Sequence, residues 1–392
     1  MVCQADLRPG MLRPTGSWAQ SSVHLRTQRQ CMKLDDALQL VNKSVRDLHA
    51  YHLEPVPATV KLNQNENPYD WPADIKEEMA AFCRGEPWNR YPAFVPSELK
   101  AALAEYVGVA PEGVIAGNGS NEILMTTFIS LVDRARPVIL CQPTFTVYEL
   151  LVRALGGSVD AVPLRTDDLA FDVDAICAAC ERNRGSLLVL CSPNNPTGSS
   201  LDEARLRRIL SVHKGMVLLD QAYVEFGGFD AVALLGEYPN LLITRTFSKA
   251  FAGAGLRLGY LIGAPALIRE INKAKLPYNL NLFADHIARL LLRNRARIAD
   301  RIAELVAARD RTQAWLAELP LDRVYPSDAN FILIRTGRKE PLMRYLVERG
   351  ILVRDVSKYP MLDNCLRIGI GTPDENDALR SAFESFFERT PT

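Results

Sequence analysis

The 392-residue sequence predicts an α/β fold: a large domain with a mostly parallel central sheet and helices on both faces, plus a smaller α+β domain formed by the C-terminal part and an N-terminal arm. Three observations carry this reading. Helix-period segments (SELKAALAEYVG, NEILMTTFISLVDR, EARLRRILSVHK) alternate with short apolar runs (VILC, SLLVLCS, MVLLD, LLITRTF), the pattern of βαβ units. Several runs end in a polar residue followed by turn chemistry: Cys141-Gln142-Pro143, Cys191-Ser192-Pro193, Asp220-Gln221 and Thr246-Phe247-Ser248-Lys249. After Asn279 the alternation gives way to a long helical pattern and then to a mixture of short strands and helices.

Taken in order, residues 1–31 carry Arg8, Arg13, Arg26 and Arg29 among Ser, Thr and Gln, with Asp6 the one acid and no helical or strand period. They read as a disordered leader or an overcalled start with Met32 as the first residue, in preference to an organellar transit peptide, which the composition also allows. Residues 32–66 form an arm and a small-domain segment: KLDDALQLVNKSVRDL predicts one amphipathic helix, and the turn-rich HLEPVPATVKLNQNENPYDWP follows. Residues 67–281 supply the large domain and 282–392 the small one. The latter opens on the Arg/Ala-rich helix pattern HIARLLLRNRARIADRIAELVAARDRTQAWLAEL, then gives ANFILIR, the helix PLMRYLVERG, ILVRDV and CLRIGIG. Its last helix starts at Thr372-Pro373-Asp374-Glu375, a Thr N-cap with Pro at the first helical position and Glu placed to close a capping box.

Forty-six basic and 46 acidic side chains cancel, so no whole-protein field recruits nucleic acid or an anionic membrane, and any anion site has to be local. The eight cysteines lack a disulfide rhythm, and several sit in apolar runs, which points to a reducing compartment. No run has the apolar length of a membrane span, and the expected location is the cytoplasm. CAAC at Cys177–Cys180 has metal spacing but lies in a helical pattern without a second ligand pair, so no metal is expected. His213 and His286 lie in helix-like segments and read as packing or surface residues. The Arg-rich run 289–301 reads as a solvated helix face.

Four segments carry candidate chemistry. AGNGSNEIL (116–124) places free backbone N–H groups and a helix start where an anion can sit; it is not a dinucleotide fingerprint, because Glu122 stands where the third glycine is required. CSPNNPTG (191–198) is a strand end with a turn, and MVLLDQAYVEF puts Asp220 just past an apolar run with Tyr223 on the turn after it. In RTFSKAFAGAGLRLGY a single amine, Lys249, lies beside small residues that let backbone approach a flat ligand, with Arg257 as a second cation able to grip a phosphate and depress the amine's pKa.

An amine, a carboxylate, hydroxyl and amide donors and a phosphate cradle are together what pyridoxal phosphate requires of a protein. Through LNQNENPY, NRYP, GNGSNE, PTFTVY, SPNNPTG, DQAYVEF, TFSKAFAGAGLRLGY, ANFILIR, LVRDV and CLRIGIG, the chain resembles the fold-type I aminotransferases and, within them, the histidinol-phosphate aminotransferase family. The resemblance implies pyridoxal 5'-phosphate as cofactor, with Lys249 the Schiff-base lysine and Asp220 the partner of the pyridine nitrogen. It also implies that Asn195 and Tyr223 bond the phenolate, that Phe145 stacks on the ring, and that Ser120, Asn121, Thr246, Ser248 and Arg257 surround the phosphate.

Tyr91 would reach the phosphate of a neighbouring subunit's cofactor, implying a homodimer with shared sites. Arg367 and Arg354 would meet the substrate's anionic groups, with Tyr51 and Asn330 in the same pocket, for histidinol phosphate and glutamate/2-oxoglutarate as substrates. Gln221 and Phe145 depart from the family's usual Glu and Tyr while keeping size and shape. An aromatic amino-acid aminotransferase or a decarboxylase of phosphorylated amino acids shares the same cofactor residues and stays open at this point. A ligand-sensing regulator of the same fold is disfavoured, because the leader and first helix are too short for a winged helix-turn-helix.

Overall fold

A computed structural model describes residues 32–48 and 57–389. The chain divides into two units, Met1–Arg46 and Asp47–Thr392. In the first, the single helix expected over KLDDALQLVNKSVRDL is instead two short ones, Leu34–Gln39 and Lys43–Arg46, and neither buries a side chain. The break falls at Leu40–Asn42, where the Asn42 carbonyl accepts the N–H groups of Val45 and Arg46 and starts a new turn. Val41 and Asn42 are weak helix formers, and without a buried face a helix this short has little to hold it together. The expected leader, residues 1–31, lies outside the described residues, as does Tyr51.

In the second unit, β1 (Val60–Lys61) precedes a seven-stranded sheet made of β2 (Val114–Gly117), β3 (Val138–Gln142), β4 (Val159–Pro163), β5 (Leu188–Cys191), β6 (Val217–Asp220), β7 (Leu241–Thr246) and β8 (Gly259–Gly263). The spatial order is β2-β8-β7-β6-β5-β3-β4. All of these strands run parallel except β8, which is antiparallel to both neighbours. Every residue of β5, β6 and β7 is buried, as expected of strands covered on both faces.

The covering helices start where their caps dictate. Asp172 accepts from Ala175 N–H at 2.9 Å and Asp202 from Arg205 N–H at 2.8 Å, opening the helices Val173–Arg182 and Glu203–Val212. The strands β2, β4 and β8 are not legible as apolar runs: one ends in Ala116-Gly117, one carries Asp160 and Pro163, and one is bounded by glycines.

The small sheet comprises β9 (Arg323–Tyr325), β10 (Phe331–Arg335), β12 (Arg354–Asp355) and β13 (Cys365–Gly369), all antiparallel in the order β12-β13-β10-β9, with β11 (Ile351–Leu352) paired to β1 in parallel. Leu62 extends that pairing by donating its N–H to the Leu352 carbonyl at 2.9 Å, and its own carbonyl accepts from Gly369 N–H at the end of β13 at 2.8 Å. The segment that follows, Asn63–Asn67, is thereby held against the small sheet. The capping box forms as expected: Thr372 Oγ1 accepts from Glu375 N–H at 3.3 Å, and Glu375 Oε2 accepts from Thr372 N–H at 2.9 Å.

The long helical stretch is two helices, Leu282–Arg293 and Arg295–Ala317, parted at Asn294. Its arginines face acids: Arg293 pairs with Glu78 at 2.8 Å, Arg297 with Asp74 at 2.6 Å, and Arg289 with Glu98. This is the solvated face expected of the run. No helix among the described residues is long and apolar enough to cross a membrane.

Candidate active site

Because β3, β5, β6 and β7 are parallel, their carboxyl ends share one edge of the sheet, where open α/β folds place ligands. Cys191, Asp220 and Thr246 are the last residues of β5, β6 and β7. The antiparallel β8 explains the small residues after Lys249. The chain has to turn back within Phe247–Leu258 rather than cross over through a long helix. It does so through bonds from Phe247 N–H to the Leu258 carbonyl (3.0 Å) and from Gly253 N–H to the Phe247 carbonyl (2.9 Å).

Beside this loop lies a cavity of about 460 Å³, a size that suits a small-molecule ligand. Twelve of the fifteen residues singled out from the sequence line it: Ser120, Asn121, Phe145, Asn195, Asp220, Tyr223, Thr246, Ser248, Lys249, Arg257, Arg354 and Arg367.

At one end the helix Ser120–Leu131 begins with no side-chain cap, from Gly119 at φ +82°. Glu122 N–H closes back on the Gly119 carbonyl at 3.2 Å, and the N–H groups of Ser120 and Asn121, which precede any intrahelical acceptor, form an anion-binding end. Glu122, which breaks the dinucleotide pattern, closes the turn by accepting from Asn118 N–H and from Asn279 Nδ2, the latter at 2.9 Å. Arg257, itself at φ +52°, lies against this turn and donates to the Ala254 carbonyl at 3.1 Å and to Ser248 Oγ at 3.4 Å. Thr246 Oγ1 stands 3.0 Å from Ser248 Oγ. Backbone N–H groups, two hydroxyls and a guanidinium thus converge on one spot, a donor set that fits a phosphate.

Two glycines keep that spot open. A Cβ on Gly119 would lie 2.5 Å from the Arg257 guanidinium, and one on Gly259 would lie 2.3 Å from Ser120 N. The Gly259→Ala change therefore has to push back the helix start, at about 1–3 kcal/mol of strain. Pyridoxal phosphate should bind roughly tenfold to a hundredfold more weakly for that strain, while pyridoxal, which lacks the phosphate, should lose little. Spectroscopic titration of both compounds checks this.

At the centre, Lys249 Nζ donates to the Gln64 carbonyl at 2.9 Å and lies 5.8 Å from the centre of the Tyr223 ring. Burial, with the Arg367 and Arg257 charges outweighing Glu66, lowers its pKa to about 7. Asp220 is buried, accepts from Tyr148 Oη at 2.6 Å and from Ala222 N–H at 3.0 Å, and is pushed up to about 6 by burial against the pull of those two donors. The Tyr223 hydroxyl oxygen accepts from Asn65 Nδ2 at 3.1 Å, which leaves its own proton free to donate into the cavity. Burial lifts the Tyr223 phenol to about 12, so it remains a donor at neutral pH.

On the far side, Arg367 donates to Asn195 Oδ1 at 2.6 Å and to the Asn63 carbonyl at 2.8 Å. Arg354 on β12 is its cross-strand partner on β13, so the two guanidinium side chains leave the same face of the small sheet.

Two of the residues singled out lie elsewhere. Tyr91 is 81% exposed, stacked on Tyr278 at 4.6 Å away from the cavity. Asn330 is buried behind the lining, where its Nδ2 donates to the Asn65 carbonyl at 3.1 Å. His213 is buried with Nε2 3.0 Å from the Ser186 carbonyl, and His286 stacks on Phe82. No group of three metal-ligating side chains occurs among the described residues.

Sequence reasoning missed Tyr148, Cys191, Tyr359 and the strip Asn63–Glu66 as cavity lining. Asn65 and Tyr148 fall inside segments already singled out, LNQNENPY and PTFTVY, but neither signals its partner until the chain folds. The Oδ1 atoms of Asn63 and Asn65 are buried without a hydrogen-bond partner while lining the cavity. Unmet acceptors of this kind mark a place for a polar ligand. Amine, carboxylate, phenol and phosphate cradle together fit pyridoxal 5'-phosphate.

The family model "Aminotransferase class I and II" matches residues 57–383. The chain is 42% identical over 342 residues to a histidinol-phosphate aminotransferase of Chlorobaculum tepidum, covering 87% of this chain and 98% of that protein. It is also 42% identical over 352 residues to the enzyme of the same name from Chlorobaculum parvum, covering 89% and 99%. In fold it is similar to the histidinol-phosphate aminotransferase of Sinorhizobium meliloti in complex with pyridoxal-5'-phosphate, with a TM-score of 0.78 at 22% identity over 88% of this chain and 97% of that one.

Proposed function

The chain belongs to the class I and II aminotransferases, and we propose that it uses pyridoxal 5'-phosphate to exchange an amino group between histidinol phosphate and 2-oxoglutarate, giving imidazole-acetol phosphate and glutamate. The observation that carries this reading is the joint presence, in one cavity, of a depressed-pKa amine, a buried carboxylate, a phosphate cradle and a pair of arginines on neighbouring strands. When bound, the cofactor supplies an electron-withdrawing ring that makes the proton on the substrate's amino-bearing carbon removable.

Lys249 takes that proton and returns it, as general base and then acid, and a pKa near neutrality suits both tasks. Asp220 would hold a proton on the ring nitrogen, Tyr223 and Asn195 would donate to the phenolate side, and Phe145 would pack on the ring face. Ser120, Asn121, Thr246, Ser248 and Arg257 hold the phosphate.

Substrate anions fall to Arg367 and Arg354. A planar guanidinium grips a carboxylate or a phosphate in the same forked way, which lets Arg367 serve both half-reactions while Arg354 adds what a phosphate dianion requires. Arg367→Ala should therefore weaken kcat/KM for glutamate and for histidinol phosphate alike, each by about a hundredfold or more as the charged hydrogen bonds are lost. Glutamate turnover left intact in that variant would end the dual role.

An aromatic amino-acid aminotransferase would take an amino donor with no phosphate group, so the donor itself separates the two readings. Comparing turnover of histidinol phosphate with that of phenylalanine and tyrosine, each against 2-oxoglutarate, separates the readings, and parity among the three would overturn ours.

The assembly we propose is a homodimer in the cytoplasm, each chain having a large domain at 67–281 and a small one at 282–392, with Tyr91 of each subunit reaching the partner's cofactor phosphate. Trp88, Tyr91, Phe94, Val95 and Tyr278 expose contiguous apolar and aromatic surface in the second unit, which supports a partner there. A monomeric mass by light scattering would refute it.

A further inference from the structure

We propose that Tyr148 is a positioning residue for the reaction: its hydroxyl fixes Asp220 as a charged acceptor and so keeps the proton these groups share on the cofactor's ring nitrogen rather than on the carboxyl group. The inference rests on the reading of Asp220 as the partner of that nitrogen.

Tyr148 lies in the first turn of the helix Val147–Ala154, which follows β3, and is 1% exposed. The Phe145 ring meets it edge to face at 5.6 Å and fixes the phenol's direction. From there its hydroxyl crosses to the end of β6 and donates to Asp220 Oδ2 at 2.6 Å, within the range of a charge-assisted bond. Asp220 Oδ1 takes the Ala222 N–H at 3.0 Å. Each carboxylate oxygen has therefore one donor in place and one acceptor direction left, enough for a ring N–H.

Among the protein groups facing Asp220, the others that titrate are Cys191, at the end of β5, and Tyr223, on the turn after β6; both are neutral at physiological pH, their own pKa values raised to about 12 by burial. The charge on Asp220 is thus held within the protein by hydrogen bonds, with Tyr148 and the Ala222 N–H the two that stabilise it. A carboxyl group in apolar surroundings reverts to its neutral form when its donors are removed. Without the Tyr148 hydroxyl, the proton between carboxylate and pyridine nitrogen moves to the oxygen. The carboxyl becomes a neutral donor to a neutral ring, and no atom is gained or lost.

The readout is the ring nitrogen itself. Holoprotein is prepared with pyridoxal phosphate labelled with 15N in the ring, and its nitrogen resonance is recorded at neutral pH. Unsubstituted protein should give the pyridinium position and Tyr148→Phe the neutral pyridine position. The kcat should fall roughly tenfold to a hundredfold, with KM for 2-oxoglutarate within about twofold.

A Tyr148→Phe protein that keeps the pyridinium resonance and its kcat overturns the inference. If that variant does not fold, 4-aminophenylalanine at position 148 carries the test, since it keeps the shape and offers a weaker donor. Its resonance should move part of the way toward neutral pyridine, and no movement counts against us. A neutral ring in the unsubstituted holoprotein would instead sink the Asp220 reading beneath the inference.

Discussion

Lys249→Ala is expected to abolish the covalent attachment of pyridoxal phosphate, removing the visible absorbance of the holoprotein, and to lower the transamination rate by roughly 10⁴-fold, since in the role proposed for Lys249 it deletes both the nucleophile and the general base. Lys249→Arg should do the same, because a guanidinium keeps the charge but neither attacks an aldehyde nor gives up its proton near neutral pH. The phosphate cradle is untouched in both, so reversible binding of the cofactor should persist and separates loss of chemistry from loss of the site.

The amine's environment makes a second part of this prediction. Burial and the Arg367 charge depress Lys249 to about 7, so the reactive neutral form is well populated at physiological pH, where an ordinary lysine is almost wholly charged. Uptake of pyridoxal phosphate by the apoprotein should accelerate as pH rises through about 7 and then level off. Arg367→Ala should move that midpoint upward by removing a neighbouring cation. A midpoint near the ordinary lysine value would contradict the burial argument. Stability follows the same sign: between about 7 and the unfolded value of 10.5 the unfolded chain binds the extra proton, so the apoprotein gains stability as pH rises through that window. Lys249→Ala should flatten the gain.

How much of this was legible in the chain depends on whether a residue acts through its own type or through its neighbours. Lys249, Asp220 and Arg257 could be read because an amine among small residues, an acid at a strand end and a nearby guanidinium match a cofactor site in combination; singly, each reads as a solvated or capping residue. Strands β5, β6 and β7 could be read because both faces are buried, which writes an unbroken apolar run. β2 and β8 are buried as fully, but β2 ends in Ala116-Gly117 and β8 is bounded by Gly259 and Gly263, so small residues blunt the apolar run; the antiparallel sense of β8 follows from the return of the chain within Phe247–Leu258. Tyr148 and Asn65 were invisible for another reason. A tyrosine at helical spacing is ordinary core, and what makes this one informative is an aspartate 72 positions away that only the fold brings within 2.6 Å. The split of the first predicted helix at Leu40–Asn42 shows the converse: an amphipathic pattern without a buried face does not secure a long helix.

Asp220→Asn should separate function from stability in opposite directions. The amide fits the same space, with Oδ1 still able to accept from Ala222 N–H and Nδ2 able to donate to the Tyr148 hydroxyl oxygen, so the local hydrogen bonds survive with one reversed. What disappears is the negative charge proposed to hold a proton on the ring nitrogen. The rate should fall on the order of 10³-fold, comparable to removing a preorganised charge-stabilising group from an enzyme site, while cofactor attachment through Lys249 continues.

Stability should move the other way in the apoprotein. Burial raises Asp220 from 3.8 to about 6, so between those values the folded state binds the extra proton, and the wild-type apoprotein loses stability as pH rises through that window. The penalty is complete above about 6 and amounts to roughly 3 kcal/mol at most. The Asn variant does not bear it. Apo Asp220→Asn should therefore unfold at a higher temperature than apo wild type at pH 8, and the two should converge below pH 4, where both side chains are neutral. Equal melting temperatures at pH 8 would mean that the carboxylate is better solvated than its burial implies, and the case for Tyr148 as its main stabilising donor would weaken with it. A more stable but inactive apoprotein would show that the chain keeps a charge where folding alone would not, and that the cofactor's ring nitrogen is what that charge serves.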